Sequence, residues 1–225
     1  MRRFNHKYVL ILVVLAALVF LFWPSAEKGP RQSGRVLLPW DLELNESGRV
    51  EVMGIEIGQS TLEDARKSLA TRSEVALFQD KDDGHLSAEA FFSEVTSGHL
   101  SGRIILSLNI DSKQLHAMAE RASKRKPMES GNLKMLPNGQ DMDVIADSVI
   151  QSVTYIPYID LDDEIIRMRF GEPQEVVSGE FGIKHYLYPQ RGLDILLDSN
   201  GKEVVQYINP QDFGKLVKPL MSQKE

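Results

Sequence analysis

Apolar and polar positions change their spacing twice along the chain, from a helical to an alternating pattern. After Thr61, a good N-cap residue, the apolar residues Leu62, Ala65 and Leu69 fall on one helix face. Strand-like runs follow as far as Asp111, and the first two are separated by a turn sequence, Lys-Asp-Asp-Gly. This order predicts a helix and an antiparallel meander, followed by a further helix that Asp111 caps and that the basic residues 124–126 end.

The second half of the chain shows the same order more clearly. A strand-like run precedes a helix expected from about Leu161 to Phe170, and Gly171 and Pro173 should end this helix. Four strand-like runs then extend to Ile208, the first at residues 174–179, and each turn between them contains glycine.

The two helix starts align with each other when one half is shifted along the chain. At an offset of 101 residues, Glu63 falls on Glu164 and Arg66 falls on Arg167. The cap and apolar positions also correspond. We therefore predict a duplication of one small unit.

The N-terminal region contains a long run without charge, from Tyr8 to Trp23, behind a basic heptapeptide. As a helix this run would reach roughly 24 Å, and extension to Ala26 gives roughly 28 Å, close to the bilayer core of about 30 Å. We expect an uncleaved transmembrane anchor at residues 8–26 and a cytoplasmic tail at residues 1–7. A cleaved signal peptide is the alternative. The expected location is the bacterial inner membrane, single-pass, with the C-terminal part in the periplasm.

These patterns predict how the rest of the chain is organised. The expected segments are a linker at 27–48, a first α+β module at 49–126, a linker at 127–143, a second α+β module at 144–213 and a C-terminal tail at 214–225. The expected fold class is α+β: an N-terminal transmembrane helix followed by two tandem modules, each a helix plus an antiparallel β-meander. Whether the modules share one sheet is left open.

Composition and motifs argue against several classes of partner and of metal site. The net charge of −6 argues against nucleic acid as a partner, and the absence of cysteine excludes disulfides and thiolate metal sites. The acidic turn at residues 80–84 does not have the ligand spacing of a calcium loop, because Lys81 takes a ligand position and Ala90 replaces the glutamate. The histidines are dispersed, without a metal-binding spacing. We expect no cofactor, no metal site and no catalytic residues.

Aromatic residues of the second meander are the candidate partner-binding residues. Alternate residues of a strand point to opposite faces, so Tyr186 and Tyr188 should share one face and His185 and Leu187 the other. One of the two faces must pack on the helix. If the aromatic face is open, it would form a surface suited to a protein partner. The candidates are Tyr186, Tyr188, Phe181 and Tyr207.

The residues around the first helix start resemble a known motif. The pattern I-x-I-G-x-S-T-x-x-D-A-x-x-x-L at residues 55–69 resembles the helix start of the SmpA/OmlA type, a module of outer-membrane assembly lipoproteins, and the tandem arrangement resembles that of the β-lactamase inhibitor protein family. Residues 170–173, Phe-Gly-Glu-Pro, carry the end of the motif in the second half. The first half departs from it, because Ala70 replaces the glycine and no proline follows. The resemblance implies a binding or scaffold module of the cell envelope.

Together these observations predict a membrane-anchored periplasmic binding or scaffold protein of the bacterial cell envelope, without catalytic activity. Its expected partner is an envelope protein or a cell-wall component. The alternative is a periplasmic enzyme, such as a cell-wall hydrolase, with a site between the two modules. That alternative requires convergent Asp, Glu or His side chains.

Overall fold

The computed structural model describes residues 37–179, 182–198 and 202–221. The α-helices in these residues are α1 (Leu62–Ser68), α2 (Ser112–Glu120), α3 (Met142–Ala146), α4 (Asp163–Phe170) and α5 (Gly214–Met221). The strands are β1 (Glu43–Leu44), β2 (Val50–Val52), β3 (Ile55–Glu56), β4 (Glu74–Gln79), β5 (Leu86–Ser97), β6 (Leu100–Asn109), β7 (Lys124–Pro127), β8 (Leu133–Leu136), β9 (Val149–Pro157), β10 (Glu175–Ser178), β11 (Ile183–Tyr188), β12 (Leu193–Asp198) and β13 (Val204–Ile208).

Short-range side-chain contacts fix the ends of the main helices. The Thr61 hydroxyl accepts from the Asp64 N–H, and the Asp64 carboxylate accepts from the Thr61 N–H, which is a capping box at the start of α1. Asp162 caps α4, and Gly171 ends it with a φ of +85° that favours glycine. The cap expected at Thr61 and the helix end expected at Gly171 are confirmed.

Ten strands form one antiparallel sheet, in the order β10-β11-β12-β13-β9-β6-β5-β4-β8-β7, and β1, β2 and β3 form a separate small sheet. The pairing of β6 with β9 joins the two halves of the chain. It runs from Gly102 opposite Pro157 to Asn109 opposite Val149, with one irregularity after Ser107. The two meanders are therefore parts of one continuous sheet.

The fold class expected from the sequence is wrong. The protein is mostly β, built on the ten-stranded sheet, and its described helices have only five to nine residues. Two separate meanders would each leave a row of unpaired backbone N–H and C=O groups at β6 and β9. Pairing these two strands satisfies both rows, so the interaction between the halves determines the architecture.

The interval expected to be a linker, 127–143, is largely ordered structure. It contains β8, which pairs with β4, and a 3-10 turn at Gly139–Asp141 that leads into α3. The basic residues Lys124 to Lys126 were expected at a helix end, but they form most of β7. Their place at the edge of the sheet depends on β8, to which β7 pairs.

The expected transmembrane helix at residues 8–26 lies outside the described residues. Within residues 37–179, 182–198 and 202–221, the structure contains no helix of the length and apolar character needed to cross a bilayer. This finding does not support the expected membrane anchor. We therefore withdraw the expected anchor and the expected single-pass location in the inner membrane with the C-terminal part in the periplasm.

The two faces of the ten-stranded sheet have different surroundings. One face, here called the core face, contributes to the main hydrophobic core with residues such as Leu106, Val153 and Ile195, and Ile166 and Phe170 of α4 pack into the same core. The opposite face, here called the second face, carries three smaller apolar clusters. The C-terminal helix α5 contributes Leu216 and Val217 to one of them.

A buried asparagine connects the N-terminal small sheet to the second half of the chain. The Asn209 side chain accepts from the Val50 N–H at 2.9 Å and donates to the Ile57 carbonyl oxygen at 3.0 Å. Backbone contacts continue this connection, because the Ile150 N–H donates to the Ser60 carbonyl oxygen. The first and second halves are therefore interlocked beyond the sheet itself.

Candidate functional site

The tyrosines expected at an open recognition surface lie in the main core. Tyr186 and Tyr207 are 0% exposed and Tyr188 is 4% exposed. Phe181 lies outside the described residues. The aromatic face is thus the one that packs beneath α4, so these tyrosines do not present their rings to a partner. The physical reason is that α4 needs an apolar platform, and the large tyrosine rings provide it.

Each of these tyrosines uses its hydroxyl group for a hydrogen bond inside the protein. Tyr186 donates to the Asp163 carboxylate at 2.7 Å, and Tyr188 donates to the Gly171 carbonyl oxygen at 2.9 Å. Tyr207 donates to the Pro39 carbonyl oxygen at 2.7 Å. Burial raises the pKa of Tyr186 and of Tyr188 to about 12, so both remain neutral donors near pH 7. Tyr186 and Tyr188 thereby hold the two ends of α4 on β11.

A buried histidine and aspartate occupy the second face. His185 Nδ1 lies 2.9 Å from Asp194 Oδ2, and the two residues are 4% and 1% exposed. The other carboxylate oxygen, Asp194 Oδ1, has no hydrogen-bond partner among the described residues. A carboxylate that orients an imidazole also occurs in catalytic sites. Here both groups are enclosed by the fold, which prevents a large substrate from reaching them.

The enzyme alternative required acidic or histidine side chains that converge between the halves. Within the described ranges, no group of three or more His, Asp or Glu side chains could hold a metal ion. Glu89 of β5 is a single buried carboxyl on the second face, 8% exposed, and burial raises its pKa to about 7 against the opposing effect of Lys134. No observation on these residues favours the enzyme alternative.

The two edges of the ten-stranded sheet differ in chemistry. At one edge, β7 has the sequence Lys-Arg-Lys-Pro. The Met128 N–H donates to the Asn132 carbonyl oxygen, so the backbone groups of Met128 face β8. Successive residues of a strand turn their backbone N–H and C=O groups to opposite sides, so the backbone groups of Arg125 and Pro127 point away from β8. Proline at an outward position removes a donor, and a row of cations discourages another strand. The β7 edge is therefore protected.

The other edge, β10, lacks this protection. The Gly179 N–H donates to the Ile183 carbonyl oxygen, so the backbone groups of Gly179 face β11. Because successive residues turn their backbone groups to opposite sides, the N–H and C=O groups of Val176 and Ser178 point away from β11. No strand in the described part of the chain pairs with this side of β10. The side chain of Val176 is 40% exposed, so an apolar group lies in water beside these outward backbone groups. We call Val176, Ser178 and the backbone between them the β10 edge.

Helix α4 holds the β10 edge in place. Arg167 donates to Asp163 at 2.8 Å and also pairs with Glu172, just before β10 begins. Val176 lies directly opposite Tyr186, whose hydroxyl is bonded to Asp163 at the start of α4. The connection from helix to strand is thus bonded at both ends.

Sequence reasoning predicted a strand at residues 174–179 but not its place at the edge. That place follows from the pairing order of all ten strands, which no local pattern reports. The available signal was the contrast in composition, because the segment Glu-Val-Val-Ser has two adjacent valines and one charge, whereas Lys-Arg-Lys-Pro has three charges and a proline.

Searches of family models, of curated proteins and of solved structures find no match for this chain. The resemblance to the SmpA/OmlA type and to the β-lactamase inhibitor protein family therefore stays a prediction from the motif.

Proposed function

We propose that this protein is a non-catalytic binding module that receives an extended segment of a partner protein at the β10 edge. The observation that carries the proposal is the contrast between the two sheet edges. The β7 edge has a proline and a row of cations, while the β10 edge offers the outward N–H and C=O groups of Val176 and Ser178 beside an exposed valine. Strand addition at a free edge is a common way to bind a peptide segment.

The geometry indicates what such a partner segment would contain. Its backbone would supply donors and acceptors to two residues of β10, and the side chain next to Val176 would cover an apolar surface that is now in water. Because side chains alternate along a strand, the neighbouring residues of the partner would face the other side of the sheet. Backbone pairing gives affinity, and the contact at Val176 gives part of the specificity.

A pair of substitutions at one residue tests the proposal. Val176→Pro removes an N–H that points outward and leaves the bonds from β10 to β11 in place, whereas Val176→Thr keeps the N–H and the branched shape. The full chain with an affinity tag is crosslinked in its native cells, and captured proteins are quantified. We expect a partner that the wild type and Val176→Thr recover equally and that Val176→Pro loses by about tenfold or more, since losing one hydrogen bond and adding a clash costs at least about 1.4 kcal/mol.

The melting temperature serves as the folding control. Since β10 ends the sheet and its bonds to β11 remain, Val176→Pro should melt within a few degrees of the wild type. If a folded Val176→Pro chain recovers every captured protein in the same amount as Val176→Thr, the β10 edge is not the binding site.

A further inference from the structure

We infer that the partner strand at the β10 edge is β10 of a second copy of this chain, paired antiparallel about a twofold axis at Val177. The inference rests on the proposed function and names its partner. It would extend the sheet across the two copies.

The hydrogen-bonding pattern of the β10 edge is complementary to itself. The residues with outward backbone groups are Val176 and Ser178, two positions apart. An antiparallel register that places Val176 opposite Ser178 of the second copy also places Ser178 opposite the second Val176, so both pairs exchange two hydrogen bonds. Registers that oppose Val176 to itself, or Ser178 to itself, make only one such pair. The twofold register centred on Val177 uses every outward group of the edge.

Charge favours the same register. Glu175 would lie opposite Gly179 of the second copy, so that no like charges are opposed within the new ladder. The corresponding register at the β7 edge would oppose Lys126 to itself and would lack one donor at each Pro127. Self-pairing is therefore compatible with β10 and unfavourable for β7.

Helix α4, on the core face, leaves room for this pairing. Helix α4 is bonded to β11 through Tyr186 and Tyr188. In the paired sheet the two β11 strands would lie three strand spacings apart, about 14 Å, and helices in contact need only about 8–10 Å between their axes. The two copies of α4 would flank the new ladder without a clash, and Val176 would be covered between them. Four backbone bonds over so short a strand describe a weak dimer, of the small-interface class.

The absence of cysteine from the sequence allows a direct test. In the inferred register Val177 faces Val177 of the second copy as a pair without hydrogen bonds, with Cα atoms about 4.5 Å apart, which is within disulfide range. The full-length Val177→Cys chain is oxidised mildly, and the disulfide-linked dimer is measured on a non-reducing gel over a range of concentrations. Val177 is 4% exposed and packs with Phe213 on the second face. The control is Val144→Cys on α3, which is far from β10 in the strand order; because Val144 is 42% exposed, this variant measures disulfide formation by random collision.

We expect the Val177→Cys chain to form the linked dimer about tenfold faster than the Val144→Cys chain, because only the first pair is held in disulfide geometry. Adding Val176→Pro to Val177→Cys should remove the advantage, and adding Val176→Thr should preserve it. Circular dichroism of each reduced variant confirms that it is folded. Equal rates for Val177→Cys and Val144→Cys, or no effect of Val176→Pro, would overturn the inference.

The second arm separates this inference from the proposed function. Sedimentation of the wild-type chain is measured alongside the capture experiment. A monomer at every concentration, together with a captured partner that Val176→Pro loses, overturns the second-copy inference and leaves the binding function in place. A monomer without any capture that depends on Val176 overturns both.

Discussion

Replacing Asn209 with alanine should cost more stability than any exposed polar substitution of the same size. The asparagine side chain bonds the Val50 N–H and the Ile57 carbonyl oxygen, and both of these residues are buried, at 0% and 1% exposure. Val50 is 159 positions away in the sequence, so no neighbour along the chain can replace the contact. Alanine would leave one buried donor and one buried acceptor without partners.

The magnitude follows from the two orphaned groups. Each unsatisfied buried polar group costs about 1–3 kcal/mol, so Asn209→Ala should lower the free energy of unfolding by about 2–6 kcal/mol. For a chain of this size, each kcal/mol shifts the melting temperature by about 2–4 °C. A loss of about 4 kcal/mol therefore corresponds to a decrease of about 8–16 °C.

The assay is chemical and thermal unfolding of the full chain, followed by circular dichroism. Asn109→Ala is the matched control, since this asparagine ends β6 and is exposed. Asn209→Asp is a second variant, because it keeps the acceptor for Val50 but faces the Ile57 oxygen with another acceptor unless the carboxyl is protonated. Its stability should therefore rise as the pH falls below neutral, since protonation restores a donor.

Hydrogen exchange locates the effect. The Val50 amide should lose its protection in Asn209→Ala before the amides of the ten-stranded sheet do, because the small sheet would open locally. If Asn209→Ala and Asn109→Ala differ by less than about 0.5 kcal/mol, the two bonds do not stabilise the junction and the reasoning is refuted.

Three further predictions concern other buried positions. Burial raises the pKa of Glu89 from 4.5 to about 7, so the folded chain binds this proton more tightly than the unfolded chain does. The free energy of unfolding should therefore fall as the pH rises from 4.5 to 7. Glu89→Gln should remove that fall and stabilise the protein above pH 7 by up to about 3 kcal/mol, as measured by unfolding across this pH range. Gly192→Ala should destabilise by at least about 2 kcal/mol, because Gly192 has a φ of +61° and a Cβ there would lie 1.8 Å from the Ile208 carbonyl oxygen; an unchanged urea midpoint would contradict this. Tyr207→Phe should cost about 1–3 kcal/mol by leaving the Pro39 carbonyl oxygen without its buried donor, and a melting temperature equal to that of the wild type would show that this bond is dispensable.

Sequence reasoning determined the features that depend on residues three or four positions apart. The cap at Thr61 forms through Asp64, and Gly171 ends α4 because it adopts a backbone conformation that other residues avoid. Most of the expected strand runs are also strands in the structure, since alternation has a period of two residues. These local signals include the strand that became β10.

Only the tertiary structure decided how these elements combine. Pairing between β6 and β9 made one sheet, and the position of α4 selected Tyr186 for the core face and left His185 on the second face. Residues that appeared to end a helix became the edge strand β7 because β8 was available to pair with them. Backbone hydrogen bonds between distant strands are the same for any sequence, so a local pattern cannot state which strand meets which. The position of β10 at an edge of the described sheet, on which the proposed function depends, is a consequence of that pairing order.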